Sequence, residues 1–242
     1  MLLSWLLLLA ALLLPTSAWP FIPSSTPTST TRTLQRRQCT HRPNSDQYDC
    51  DFTLPTLTQI IEHLRDKAHG GMADADHSAL FYTNLAYPNT AVTNKELGWI
   101  HAYNIAQGIQ DKVYWLQSNV DFPWFKAQKE WIESHPTEFN ARYGTDPEPV
   151  DIFWMCYYQA LALAAVHPDA YVYTPKGVDW KKTSIWANVE FPSLTANENV
   201  KRIYRVDPRP NDEDACGAEE ELVWDRGRGN GVRKVRWTCP IT

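Results

Sequence analysis

The 242-residue chain contains no Gly-x-Gly-x-x-Gly run, no phosphate-cradling lysine loop, no metal-spaced histidines or cysteines and no Asn-x-Ser/Thr sequon. The first two absences remove the usual dinucleotide and P-loop fingerprints. The third removes any recognisable metal site, since the seven histidines are scattered. Net positive charge is missing as well. The chain carries −5 at pH 7, which argues against a general nucleic-acid binder, because phosphate contacts need a basic surface. A long apolar span is also lacking. The leucine-rich run "MLLSWLLLLAALLLPTSA" (1–18) is short for a membrane crossing and no basic stop-transfer cluster follows it. It reads as a secretory signal peptide without the customary positive start, so no stable membrane insertion is expected.

Residues 19–37 are rich in Pro, Ser and Thr and end in Arg36-Arg37. Such a segment buries too little apolar surface to order itself. A dibasic site at its end predicts a mature chain starting at Gln38, with an extracellular or cell-wall-associated destination. Removing three arginines and no acids from 23 basic and 28 acidic residues leaves −8. One basic island remains, "DRGRGNGVRKVR" (225–236). It reads first as a glycine-rich turn entering a strand with solvated charges, and second as a phosphate or RNA contact.

Five cysteines are present: Cys39, Cys50, Cys156, Cys216 and Cys239. In an oxidising compartment two disulfides are expected, although spacing alone leaves their pairing open. Nearest-neighbour logic favours Cys39–Cys50 and Cys216–Cys239. Cys156 then remains as a buried thiol in an apolar run that offers no cation to activate it.

The first half has helical periodicity. "TLTQIIEHLRDKAHGG" aligns Ile60, Ile61, Leu64 and Ala68 on one face before Gly70-Gly71. Thr93-x-x-Glu96 is a capping-box pattern opening a helix through Gln117. "DFPWFKAQKEWIESH" and the very apolar "EPVDIFWMCYYQALALAAV" predict two more. The second half turns to short strands at 170–174, 200–206 and 233–239, joined by an early one at 79–85. The fold expected is α/β: a helical lobe (about 38–78 and 93–166) and an α/β lobe (about 79–92 and 167–242) with a small, mainly parallel four-stranded sheet. The two would form one catalytic domain, 38–242, with a cleft between the lobes.

"FWMCYYQALALAAVHPDAYVYT" followed by "SIWANVEFPSL" resembles the ADP-ribosyl cyclase and NAD glycohydrolase family. Its members carry a Phe-Trp helix, a strand, and then Ser-Thr-Phe-x-x-Val-Glu-x-x-x-Leu. Phe153-Trp154 matches the first element, and Ser184, Trp186, Val189, Glu190 and Leu194 match the last. "ALFYTNL" is similar to the family's first strand, with Tyr82-Thr83 in place of Trp-Ser. The resemblance implies an enzyme that cleaves the nicotinamide–ribose bond of NAD⁺, with NAD⁺ as substrate and no cofactor or metal.

By that resemblance Glu190 is the catalytic carboxylate, stabilising positive charge on the ribosyl ring. Trp154 would stack on a base, with a core tryptophan as the competing reading. Tyr82, Thr83 and Trp186 would wall the pocket, and Ile185 stands where members influence cyclisation. The family's Thr-Leu-Glu-Asp motif falls on Thr93-Asn94-Lys95-Glu96, which sets Lys95 opposite the Glu and Glu96 opposite the Asp. Glu96 is therefore a candidate contact to the nicotinamide carboxamide and equally a helix cap. The family's bridges also fall at Cys39–Cys50 and Cys216–Cys239, and its homodimers leave that state open to this chain. Two other readings stand beside this one: a secreted nucleotide-binding or effector protein without catalysis, and a conventional glycosidase, which would need a second carboxylate across the cleft.

Overall fold

The computed structural model describes residues 39–41, 48–50, 54–83, 93–116, 122–144, 149–210 and 220–241, with the side chains of 39–50 and of 122–123 outside that description. The expected signal peptide and pro-segment, and Cys216, lie outside the described residues. The chain separates into two units, 1–52 and 53–242. In the first, β1 (Cys39–His41) pairs antiparallel with β2 (Tyr48–Cys50), and Cys39 faces Cys50 across the ladder.

The second unit is mixed α/β. It opens with α1 (Leu57–Arg65), capped reciprocally by Thr56 and Gln59: Gln59 N–H donates to Thr56 Oγ1 at 3.2 Å, and Thr56 N–H to Gln59 Oε1 at 2.9 Å. Ile60 and Leu64 are fully buried on one face, whereas Ala68 lies exposed in the short 3₁₀ turn after the helix. Gly71 allows the chain to turn back there, since a Cβ would sit 2.6 Å from the Leu64 carbonyl oxygen.

Next come β3 (Ser78–Tyr82), α2 (Asn94–Ala106), β4 (Val113–Tyr114), α3 (Phe122–Ser134), α4 (Pro136–Tyr143) and α5 (Pro149–Ala164). The remainder is β5 (Asp169–Tyr173), α6 (Phe191–Ala196), β6 (Arg202–Val206) and β7 (Glu221–Asp225). The five-stranded sheet has the order β4-β3-β5-β6-β7. All neighbours pair in parallel except β6 and β7, which are antiparallel. Parallel strands covered on both faces read as continuous apolar runs, and "SALF" of β3 is buried throughout.

Three expectations need correction. The segment 233–239 is not a strand: Arg233 N–H donates to Thr195 Oγ1 at 2.9 Å and Arg236 N–H to the Asn188 carbonyl at 3.4 Å, so its backbone bonds go to side-chain and helical partners. Among the described residues the sheet has five strands instead of four, with β4 and β7 at positions the periodicity did not mark. The helix opened by Thr93 ends at Ala106; Gly108 then takes φ +64 and the chain turns into β4.

The cysteine pairing differs too. Cys156 is bonded to Cys239 with Cα atoms 4.9 Å apart, so Cys156 is no free thiol and the Cys216–Cys239 pairing is overturned. Nearest-neighbour logic failed because α5 and the C-terminal segment are close in space but 83 residues apart in sequence. Gln159 reinforces the junction by accepting Cys239 N–H at 2.8 Å. Leu57 N–H donates to the Ile241 carbonyl at 2.9 Å, which ties the same segment to α1.

The C-terminal end of α5 is pinned from two sides. Arg65 Nε donates to the Ala164 carbonyl at 3.0 Å, and Asn197 Nδ2 donates to the Ala165 carbonyl at 2.8 Å. These bonds satisfy carbonyls that the helix end leaves without partners. They also fix α5 against the segment that leads into α6. Among the described residues, no helix is long and apolar enough to cross a membrane.

Candidate active site

Two neighbouring strands send the chain in opposite directions: β3 leads outward to β4, and β5 leads the other way to β6. Such a divergence opens a crevice at the carboxyl ends of parallel strands, where ligands bind in open α/β sheets. Thr83 N–H donates to the Tyr173 carbonyl at 2.9 Å, fixing the end of β3 against β5.

The segment "SIWANVEF" crosses above this point. Its tryptophan and valine suggest a β-prone run, yet it is helical. Ser184 Oγ accepts Ala187 N–H at 3.1 Å and starts the turn as a side-chain cap. One π-helical turn, Trp186–Glu190, follows, closed by Phe191 N–H donating to the Trp186 carbonyl, and leads into α6. Such single wide turns recur at functional sites. Here it leaves Trp186, Val189 and Glu190 all buried. Glu190 is 4 % exposed, so it is not an acid at an open strand edge.

Below the turn lies a cavity of about 170 Å³. Phe81, Tyr82 and Thr83 line it from the end of β3; Ile185, Trp186 and Glu190 line it from the crossing segment. Tyr158 and Leu161 of α5 close another side, with Leu116 after β4. An apolar cavity of about 150 Å³ admits benzene, so this one has room for one ring-sized group. The rings of Phe81 and Trp186 are 5.7 Å apart, and Tyr82 meets Trp115 edge-on at 5.9 Å, so the wall is stiff and aromatic.

Glu190 is the only carboxyl among the described lining residues. Burial pushes its pKa well above the usual carboxylate value, because the charged form has lost water. Among the described residues, none donates a hydrogen bond to it and no cation is paired with it. The indole Nε1 of Trp186 is likewise buried without a partner. The site thus holds an acid and a donor, both uncommitted among the described residues. Tyr158 hydrogen-bonds to Tyr82; burial, followed by the proximity of Tyr82 and Glu190, raises its pKa far out of the physiological range, so it stays a neutral phenol.

Five of the residues singled out from the sequence (Tyr82, Thr83, Ile185, Trp186 and Glu190) therefore meet at one cavity. Two do not line it. Trp154 is half-buried one helical turn before Tyr158, with its ring 6.2 Å from that tyrosine and 4.7 Å from Phe125. Glu96 is buried in the capping box of α2, where Oε2 accepts Thr93 N–H at 2.5 Å and Oε1 has no partner. Lys95 stands exposed with Nζ 5.2 Å above the Trp99 ring. The sequence reading missed Tyr158. Its signal was available in the i, i+4 spacing from Trp154, which puts both on one helix face.

Among the described residues, no group of three or more His, Cys, Asp or Glu side chains is placed to hold a metal ion. No protein-family model, curated protein or solved structure matches this chain.

Proposed function

We propose that the chain is a secreted NAD⁺ glycohydrolase with ADP-ribosyl cyclase capacity, acting through Glu190. One observation carries this reading: a buried carboxyl, solitary and unpaired among the described residues, lines an aromatic cavity the size of one ring. Such a group meets a cationic ligand favourably. NAD⁺ brings a pyridinium, and its cleavage moves that positive charge onto the sugar. As the C1′–N bond breaks, its electron pair passes to the nicotinamide nitrogen and C1′ becomes oxocarbenium-like. The Glu190 carboxylate, held in place among aromatic side chains, stabilises that charge far better than water would. Water then adds to C1′ and loses a proton, giving ADP-ribose. Attack by a ring nitrogen of adenine gives the cyclic product instead.

Nicotinamide departs as a neutral molecule and needs little acid assistance, so one carboxyl suffices. A conventional glycosidase uses two, and the described lining supplies one. Trp186 Nε1 and the Tyr82–Tyr158 pair are the polar groups available to orient ribose or carboxamide. Secretion fits the leader, the dibasic site and the Cys156–Cys239 bridge.

A second reading is nucleotide binding without turnover. It is favoured by the upward pKa shift of Glu190, since a neutral carboxyl acts as an ordinary hydrogen-bonding group. Incubation with NAD⁺ and with its guanine analogue, followed by chromatography, separates the two. Nicotinamide appearing with ADP-ribose or cyclic products supports the enzyme; saturable nucleotide binding with no nicotinamide supports the binder. A panel of chromogenic glycosides is expected to remain uncut.

A further inference from the structure

The basic island of the sequence divides in the folded chain. Arg226 is consumed structurally, donating to the carbonyls of Thr195, Asn197 and Val200. Arg228 lies 3.5 Å from Asp225. Arg233, Lys234 and Arg236 instead line a groove of about 500 Å³, joined there by Lys182. None of these four cations is paired with a carboxylate among the described residues. Gathering four like charges in one depression is unfavourable unless an anion enters it, and a concave basic surface concentrates anions from solution. This happens on a chain whose net charge is −5.

The groove also has an aromatic floor. Trp180 and Phe191 line it, with ring centroids 5.6 Å apart. Arg205 donates to the carbonyls of Pro175 and Val178, and its guanidinium lies 5.9 Å from the Trp180 ring, which holds the 175–180 loop in place. Arg233 lies over Phe191 at 5.9 Å. The groove is distinct from the cavity. Ala187 and Phe191 face it, whereas Trp186 and Glu190 of the same segment face the cavity. Its volume falls within the range of small-molecule sites.

We propose that this groove is a second ligand site that takes a nucleoside diphosphate, with the phosphates on the Arg233–Lys234–Arg236–Lys182 cluster and the base against Trp180 and Phe191. Arginine forks suit phosphate oxygens, and flat bases stack on aromatic rings. A polyanionic chain is disfavoured, because the acidic remainder of the protein would repel it.

The test is titration of the full chain with ADP, read by tryptophan fluorescence and by calorimetry. Saturable ADP binding is expected, weakened at least about tenfold by Arg233→Glu/Arg236→Glu and by raising salt from about 50 to 500 mM. Lys234→Glu should weaken it independently. Adenosine should bind at least about tenfold more weakly than ADP, because it lacks the charge the cluster meets. Glu190→Gln should leave ADP affinity within about twofold, since Glu190 lines the cavity and not the groove. The proposal is overturned by absence of saturable ADP binding, by binding indifferent to the charge reversals, by adenosine binding equally well, or by loss of ADP binding in Glu190→Gln.

Discussion

A buried carboxyl with no donor is a destabilising feature at neutral pH, and its sign can be worked out. In the unfolded chain Glu190 would titrate near 4.5, while the folded value is well above that. Between the two, the native state binds more protons than the unfolded one, so stability falls as pH rises. The favourable contribution is complete below about pH 4.5 and is lost as pH climbs through the folded value. Glu190→Gln removes the titration. It is therefore expected to be more stable than the parent at pH 8 and to show a flatter dependence of Tm on pH between 4 and 8. Calorimetric scans of both proteins check this; a less stable variant at pH 8 would count against the buried, unpaired acid.

The same carboxyl must be ionised to meet a cation. Accordingly, kcat/KM for NAD⁺ should fall on acidification across a range lying above pH 4.5, and binding of a cationic ligand should release a proton. Calorimetry in buffers of different ionisation enthalpy reports that proton. Tyr158 gives a milder case. Removing its hydroxyl breaks the bond to Tyr82, worth about 0.5–1.5 kcal/mol. Tyr158→Phe should thus lower kcat/KM roughly three- to tenfold with folding intact; an unchanged value would remove the pair from the site. At this scale the sequence made five lining residues visible, because they sit in two short contiguous runs, 82–83 and 185–190. Trp154 and Tyr158 were not separable, since the choice between them depends on the rotation of α5, which tertiary packing sets.

At the scale of elements, α5 is the helix on which the others gather: α1, α3, α4 and α6 pack on it, and Cys239 is bonded to it. The bridge spans 83 residues, for which the chain-entropy model gives roughly 4–5 kcal/mol and measured losses of native disulfides run about 2–5 kcal/mol. Cys156→Ala/Cys239→Ala is expected to lose stability in that range by urea denaturation. Loss below about 0.5 kcal/mol would argue that the C-terminal segment is held chiefly by Gln159 and the Ile241 carbonyl. The helices were legible from apolar periodicity and caps, as Thr56–Gln59 and Thr93–Glu96 illustrate. The strands were less so. "RKVRWTC" alternates as a half-buried strand would, but finds its backbone partners at Thr195 and Asn188 instead of a sheet edge. "ELVWD", flanked by charges, pairs on the outer side of β6 because the edge there was free to accept it.

For the whole molecule, the order of strands matters more than any one of them. Divergence of the chain at β3 and β5 creates the crevice, and the π turn after β5 lowers a carboxyl into it. That arrangement was only partly readable. Parallel pairing follows from strands spaced by helices, but which strands are neighbours depends on crossovers that local patterns do not encode. The most direct measurement is nicotinamide released from NAD⁺ per unit time by the protein and by its Glu190→Gln variant, at pH 8 and with both confirmed folded. Rapid release by the parent and a fall of at least about 10³-fold in the variant are expected. No release by the parent, or variant turnover within tenfold of it, would contradict a reaction carried by this carboxyl.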